Sequence, residues 1–187
     1  MIARRGLLLA GLGMLAGCAR PPAPPPPAPL PAPVILPPPP SVPLPPRRAD
    51  RIVVRKAAHE LTLYRDWQPL KTYKVALGTG GLAPKRQAGD RRTPEGLYRI
   101  DGRNRHSEFH RSLHISYPAP RDVAAARARG VAPGGGIMIH GIRNGLGWLG
   151  ELHLRDDWTD GCIAVTDAEI EEIWDAVADG TPIEILP

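Results

Sequence analysis

The chain has 187 residues, a formal net charge of +5, 24 prolines and two cysteines. That length suits one domain of ordinary size beside a tether, and two cysteines, one of them ending an export signal, leave an unpaired thiol rather than a disulfide. The basic balance raises nucleic acid as a partner, but export argues against it and makes acidic polymers of the cell envelope the better match.

In chain order, Arg4 and Arg5 precede an apolar run from Leu7 to Ala16 and then Leu15-Ala16-Gly17-Cys18. A charged start, a short apolar stretch and small residues before a cut site read as a secretory signal. That run of ten residues is too short for a bilayer span, which needs about 20. Leu-Ala-Gly-Cys resembles the lipobox of bacterial lipoproteins, which implies a signal over residues 1–18 and lipidation at Cys18. Ala19 is not acidic, so the outer membrane is the expected anchor and the periplasm the expected location. Either general secretion or, given Arg4-Arg5, twin-arginine export fits. Residues 19–49 form a proline-rich linker. Proline excludes helix and sheet interior and favours polyproline II. Arg20 to Pro46 would then reach on the order of 80 Å at about 3.1 Å per residue.

The folded part is expected over residues 50–187. Arg51–Val54, Glu60–Tyr64 and Lys71–Leu77 read as strands, with a turn at Asp66–Pro69. Thr93-Pro94-Glu95-Gly96 introduces a strand over Leu97–Ile100, which Asp101-Gly102 breaks. Leu113–Tyr117 alternates as another strand, ended by Pro118 and Pro120. A short helix is expected over Val123–Arg129, before Gly130. Ile137–Ile139 is a short buried strand leading into His140. Thr166 and Glu169 form a capping box, and Ile170, Ile173, Trp174 and Val177 make one apolar helical stripe. Gly180 stops that helix and Pro182–Ile185 is a last strand. The predicted class is mostly β with a few α-helices.

The chemistry concentrates at Cys162, within Asp157-Trp158-Thr159-Asp160-Gly161-Cys162-Ile163. A thiolate attacks carbonyl carbon far better than a thiol. His140 is the candidate base, brought to Cys162 only by the fold. Gly161 permits close backbone approach, and the amides of Gly161 and Cys162 are candidate oxyanion donors. The polar, turn-forming neighbours of Cys162 argue against a core cysteine. No spacing reads as a metal site. His110 and His114, the nearest pair, would lie about 13 Å apart on a strand.

Thr93-Pro94-Glu95-Gly96, Ile139-His140-Gly141 and Thr159-Asp160-Gly161-Cys162-Ile163, in this order and spacing, resemble the YkuD-type L,D-transpeptidase catalytic domain. The resemblance implies a β-sandwich-like domain with a Cys-His pair facing a groove and no cofactor. It implies a substrate, the peptidoglycan stem peptide, cleaved after meso-diaminopimelate through a cysteine thioester that an amine or water resolves. Two positions depart from the common pattern: Asp160 replaces a histidine and Ala164 an arginine. These resemble a YafK-like subgroup, some of whose members release wall-attached lipoprotein. An adjacent carboxylate raises a thiol's pKa unless a cation partners it. His153 or Arg155 is the expected partner of Asp160, which with Gly141 would orient the site. Arg143, Arg155 or Arg111 would replace the lost arginine, and His153 or His114 would line the groove. Three functions stay open: a transpeptidase, a hydrolase on the same thioester path, and a non-catalytic wall-binding lipoprotein.

Overall fold

The computed structural model describes residues 49–187. The signal, Cys18 and all of the linker before Ala49 lie outside the described residues.

Three strands open the domain: β1 (Arg51–Arg55), β2 (Glu60–Arg65) and β3 (Gln68–Lys74). The β2–β3 turn is tighter than Asp66–Pro69, because Asp66 and Trp67 both take positive φ (49° and 65°). Two such residues match the strand twist in a two-residue hairpin, so Pro69 is already paired with Tyr64. The long strand β4 (Gly96–Ser107) continues past Asp101-Gly102, where a break was expected. The register shifts between Ile100 and Gly102, so those residues form a bulge that bends the strand without ending it. Strand β5 (His110–Ile115) returns antiparallel.

Helix α1 (Pro120–Ala128) starts three residues before Val123, with Pro120 at its first position, where a missing N–H costs nothing. The Asp122 carboxylate accepts from the Ala119 N–H at 2.9 Å. Strand β6 (Met138–His140) is followed by a 3₁₀ segment (Gly147–Arg155) that the sequence reading does not anticipate, then β7 (Ile163–Ala164). Helix α2 (Asp167–Ala176) carries the expected box: Glu169 N–H donates to Thr166 Oγ1, and Thr166 N–H to Glu169 Oε2 at 2.8 Å. Its Ile170 and Ile173 are fully buried, stabilising the domain by roughly 1.5–3 kcal/mol each. Strand β8 (Pro182–Leu186) closes the chain.

The strands lie in the order β3-β2-β1-β8-β4-β5-β6-β7. The first half of β4 pairs with β8 and the second half with β5. The bulged strand thus passes from one half of the sheet to the other, and one hydrophobic cluster, including Ile52, Leu61, Ile115, Ile139, Ile163 and Ile173, draws on both halves and α2. The chain beyond β3 crosses to the opposite edge. Ala76 and Ala164 exchange both backbone hydrogen bonds (3.0 and 2.9 Å), and Thr159 N–H donates to Leu77 O at 3.1 Å. Neither edge there is left as an open ladder. The sandwich-like expectation therefore holds, with the β7 edge, where the cysteine lies, locked against residues 76–79.

Candidate active site

Strands β6 and β7 run parallel, with Ile139 opposite Ile163 and His140 opposite Ala164. Ile139 and Ile163 are both 0% exposed and belong to the core. Side chains alternate across a strand. Met138 and His140 therefore share the other face with Ala164 and, one step before β7, Cys162. Two buried isoleucines thus turn the thiol and the imidazole toward the same side. Both line one cavity of about 640 Å³.

His140 is buried, and its ring packs on Phe109 (centroids 4.5 Å apart) and on the edge of Trp158 (5.6 Å). Its Nδ1 lies 2.7 Å from the Gly141 carbonyl oxygen. A carbonyl only accepts, so Nδ1 carries the proton and Nε2 keeps its lone pair. The acceptor is itself held in place. Gly141 N–H donates to Phe109 O at 3.1 Å, and Ile142 N–H to Asp167 Oδ1 at 2.8 Å. A Cβ at Gly141 would lie 2.7 Å from that Asp167 oxygen, which explains the glycine. Gly141 thus orients the histidine through its carbonyl.

The Cys162 thiol donates to Gly136 O at 3.6 Å. Burial raises its pKa; the Met138 N–H opposes that, the Asp160 charge adds to it, and Lys85 opposes it. Burial lowers the pKa of His140, the Gly141 hydrogen bond raises it, and His153 lowers it further. Both shifts favour the neutral forms, the thiol and the imidazole.

The cysteine loop is bracketed by Thr159, a buried residue given no role from sequence. Its hydroxyl accepts from Gly161 N–H at 3.1 Å and donates to Cys162 O at 2.8 Å. The Gly161 amide is therefore already engaged, which removes it as an oxyanion donor. Gly161 has φ +119°, and a Cβ there would meet Arg92 O at 2.6 Å. The close approach that requires glycine is to the chain's own backbone. That neighbouring loop is pinned by Asp90. Burial alone would raise its pKa, but hydrogen bonds from Arg86, Lys85, Gln87 and Arg92 bring it to about 2. Thr93-Pro94-Glu95 is held by fully buried Lys56, whose Nζ donates to Thr93 O (3.1 Å) and Glu95 Oε1 (2.8 Å).

The remaining expected residues separate. Asp160 pairs with Arg91 at 3.4 Å, both largely exposed, instead of with His153 or Arg155. His153 is occupied with Trp158, whose Nε1–H donates to its Nδ1 at 3.3 Å. Of the three arginines, Arg143 lines the cavity. Arg111 is drawn away by Glu171 (2.8 Å) and the Trp174 ring, and exposed Arg155 lies outside the cavity lining. His153 lines the cavity, whereas His114 pairs with Asp101 elsewhere. His110 contacts Glu171 at 2.7 Å, so the two histidines of the His-x3-His spacing bind different carboxylates. Sequence reading missed Thr159, Trp158, Phe109 and Asp167. The first two stand in the motif itself; Asp167 reads locally as a helix-start carboxylate and nothing more.

A family model for the L,D-transpeptidase catalytic domain (YkuD) matches residues 49–185. YafK of Escherichia coli (strain K12), whose assignment as an L,D-transpeptidase is provisional, is 32% identical over 133 residues, covering 67% of this chain and 46% of YafK. This chain thus spans about half the length of that relative. Among solved structures, the helical cell shape determining protein Pgp2 from Campylobacter jejuni superposes with a TM-score of 0.55 at 22% identity, covering 73% of this chain and 47% of Pgp2. An L,D-transpeptidase from Xylanimonas cellulosilytica gives 0.50 at 16% identity, covering 74% and 61%. These likenesses at low identity concern the fold.

Proposed function

Because this chain belongs to the L,D-transpeptidase catalytic-domain family, we propose that it is a cysteine acyltransferase acting on peptidoglycan stem peptides, with Cys162 as nucleophile and His140 as base. The observation that carries this reading is the His140 tautomer. Its Nδ1–H is committed to Gly141 O, so Nε2 is the bare nitrogen on the face it shares with Cys162. Nε2 takes the thiol proton as sulfur attacks the meso-diaminopimelate carbonyl of its amide bond to D-alanine. The proton then passes to the departing D-alanine amine, and a thioester remains. The oxyanion falls to the Cys162 N–H, since the Gly161 N–H is held by Thr159. An amine acceptor resolves the thioester in the transpeptidase reading, and water in the hydrolase reading. Asp160 and Ala164 at the two departing positions keep the hydrolase reading, including release of wall-attached lipoprotein, as the alternative.

The proposed setting is the periplasm, with Cys18 lipidated and the proline-rich linker holding the domain off the outer membrane. A wall-binding lipoprotein without turnover would use the same tether but would need neither the oriented imidazole nor the thiol.

Incubation of the protein with defined muropeptides, followed by mass analysis, separates these readings. Dimers joined between two diaminopimelate residues identify a transpeptidase. Shortened stems or released lysine adducts identify a hydrolase, and binding without change identifies the anchor. Cys162→Ala should abolish turnover and leave the fold intact; surviving turnover would refute the nucleophile.

A further inference from the structure

Helix α2 carries a carboxylate that its own start does not use. Thr166 and Glu169 already cap the helix between them. Asp167, the next residue, reaches out of the helix and accepts from Ile142 N–H at 2.8 Å. The chain makes room for it twice. A Cβ on Gly141 would lie 2.7 Å from Oδ1, and one on Gly147 would run into Oδ2. An acid in a first turn complements the helix dipole just as well when it faces solvent, so the helix does not account for this arrangement.

The bond that Asp167 accepts lies one peptide away from the base. Ile142 N–H and Gly141 C=O are the two ends of one planar trans peptide unit, and they point in opposite directions. At the far end, Gly141 O accepts the Nδ1–H of His140 at 2.7 Å. The order is carboxylate, peptide, imidazole. His140, Gly141 and Ile142 are all buried, where hydrogen bonds in series polarise one another and a charged acceptor strengthens the chain. We infer that Asp167 is a positioning residue for the reaction: through the Gly141–Ile142 peptide it fixes the tautomer and orientation of His140 and makes Gly141 O a stronger acceptor for the imidazolium that forms when Nε2 takes the Cys162 proton. The inference rests on the acyl-transfer reading of Cys162 and His140.

Asp167 also acts through space. Its charge, with that of Glu169, bears on His153. Its Oδ2 lies 3.9 Å from His110 Nδ1, and Glu171 holds the other nitrogen of that ring. Asp167→Asn removes the charge and keeps an accepting oxygen for Ile142, so it separates the two routes.

The test is the pH profile of kcat/KM for the full chain on a stem tetrapeptide, whose acid limb reports the base of the free enzyme. Asp167→Ala should lower kcat about tenfold or more with KM within about twofold. It should also move the acid limb down by about half a pH unit, because the imidazolium loses a strong acceptor. Partial unfolding would lower activity and leave the limb in place. Asp167→Asn should recover most of both losses. An unmoved limb in the Ala variant, or equal shifts in Ala and Asn, would overturn the inference. A second measurement needs no variant. In isotope-labelled wild-type protein, scalar couplings across hydrogen bonds should join the Ile142 amide nitrogen to the Asp167 carboxyl carbon, and His140 Nδ1 to the Gly141 carbonyl carbon. Absence of either coupling is a refutation. Absence of turnover and of acyl-enzyme in wild type that shows both couplings would instead defeat the functional reading itself, and this inference with it.

Discussion

Thr159→Val tests what holds the nucleophile loop. The two side chains have nearly the same volume, so little cavity is created and the change is the loss of one hydroxyl. That hydroxyl accepts from the Gly161 N–H at 3.1 Å and donates to Cys162 O at 2.8 Å. Thr159 is 4% exposed and Gly161 is buried. Leaving a buried donor or acceptor unmet costs about 1–3 kcal/mol. The Gly161 N–H, enclosed by backbone of the neighbouring loop, bears most of that cost. The Cys162 carbonyl is part-buried and bears the lower end. Together they predict a loss of about 2–4 kcal/mol. Thr159→Ser keeps both bonds and should lose under about 1 kcal/mol, the value of one buried methyl group. The measurement is urea unfolding of both variants, read as a shift in midpoint at constant slope. A Val variant within about 0.5 kcal/mol of wild type, the range of an ordinary surface change, would mean that the bracket contributes nothing and that the Gly161 amide is free for the oxyanion after all.

Three further outcomes are expected. Lys56→Met removes a fully buried ammonium from Glu95 and from the Thr93 carbonyl and should destabilise the domain by about 3 kcal/mol, measured by the same unfolding; a neutral result would show the pair to be replaceable by an apolar contact. Asp167→Ala frees the Ile142 N–H and should lower both stability, by about 1–2 kcal/mol, and turnover, whereas Asp167→Asn, which retains an accepting oxygen, should do far less; equal effects would show that charge rather than the hydrogen bond matters. The pH dependence has a defined sign. Burial holds His140 and His153 below their ordinary value of 6.5, so the unfolded chain takes up protons that the native chain does not, and stability should fall as pH drops through 6.5 and level off below the folded values. Burial lifts Cys162 above 9.0, and Tyr98 and Tyr117 to about 12, so stability should also fall as pH rises past 9. The acid limb of kcat/KM should lie below 6.5, because His140 stays a neutral base there. An unfolding midpoint that rises on acidification, or an acid limb above 6.5, would contradict this account.

Much of the domain is written locally. The Thr166–Glu169 box and the apolar stripe behind it specify α2 within ten residues, because capping and 3.6-residue periodicity act over one or two turns. The two candidate reacting residues are legible for a related reason: a thiol in a polar turn and a histidine closing an apolar strand are unusual in themselves. What local pattern cannot express is which groups meet across the chain. Asp101-Gly102 reads as a stop, yet it becomes a bulge because the β5 and β8 partners pull β4 onward. Gly161 reads as room for a substrate, yet Arg92 backbone fills that room. Arg111, Arg143 and Arg155 are alike as sequence, and only the position of Glu171 and of the cavity separates them. The sequence by itself determined the residue types, the turn chemistry and the core-facing Ile139 and Ile163 that orient their neighbours. The tertiary structure decided the His140 tautomer, the engaged Gly161 amide, the Arg91 partner of Asp160 and the Trp158 partner of His153. Hydrogen-bond partners are assigned by distances of a few ångströms between segments remote in sequence, and nothing short of the folded chain sets those distances.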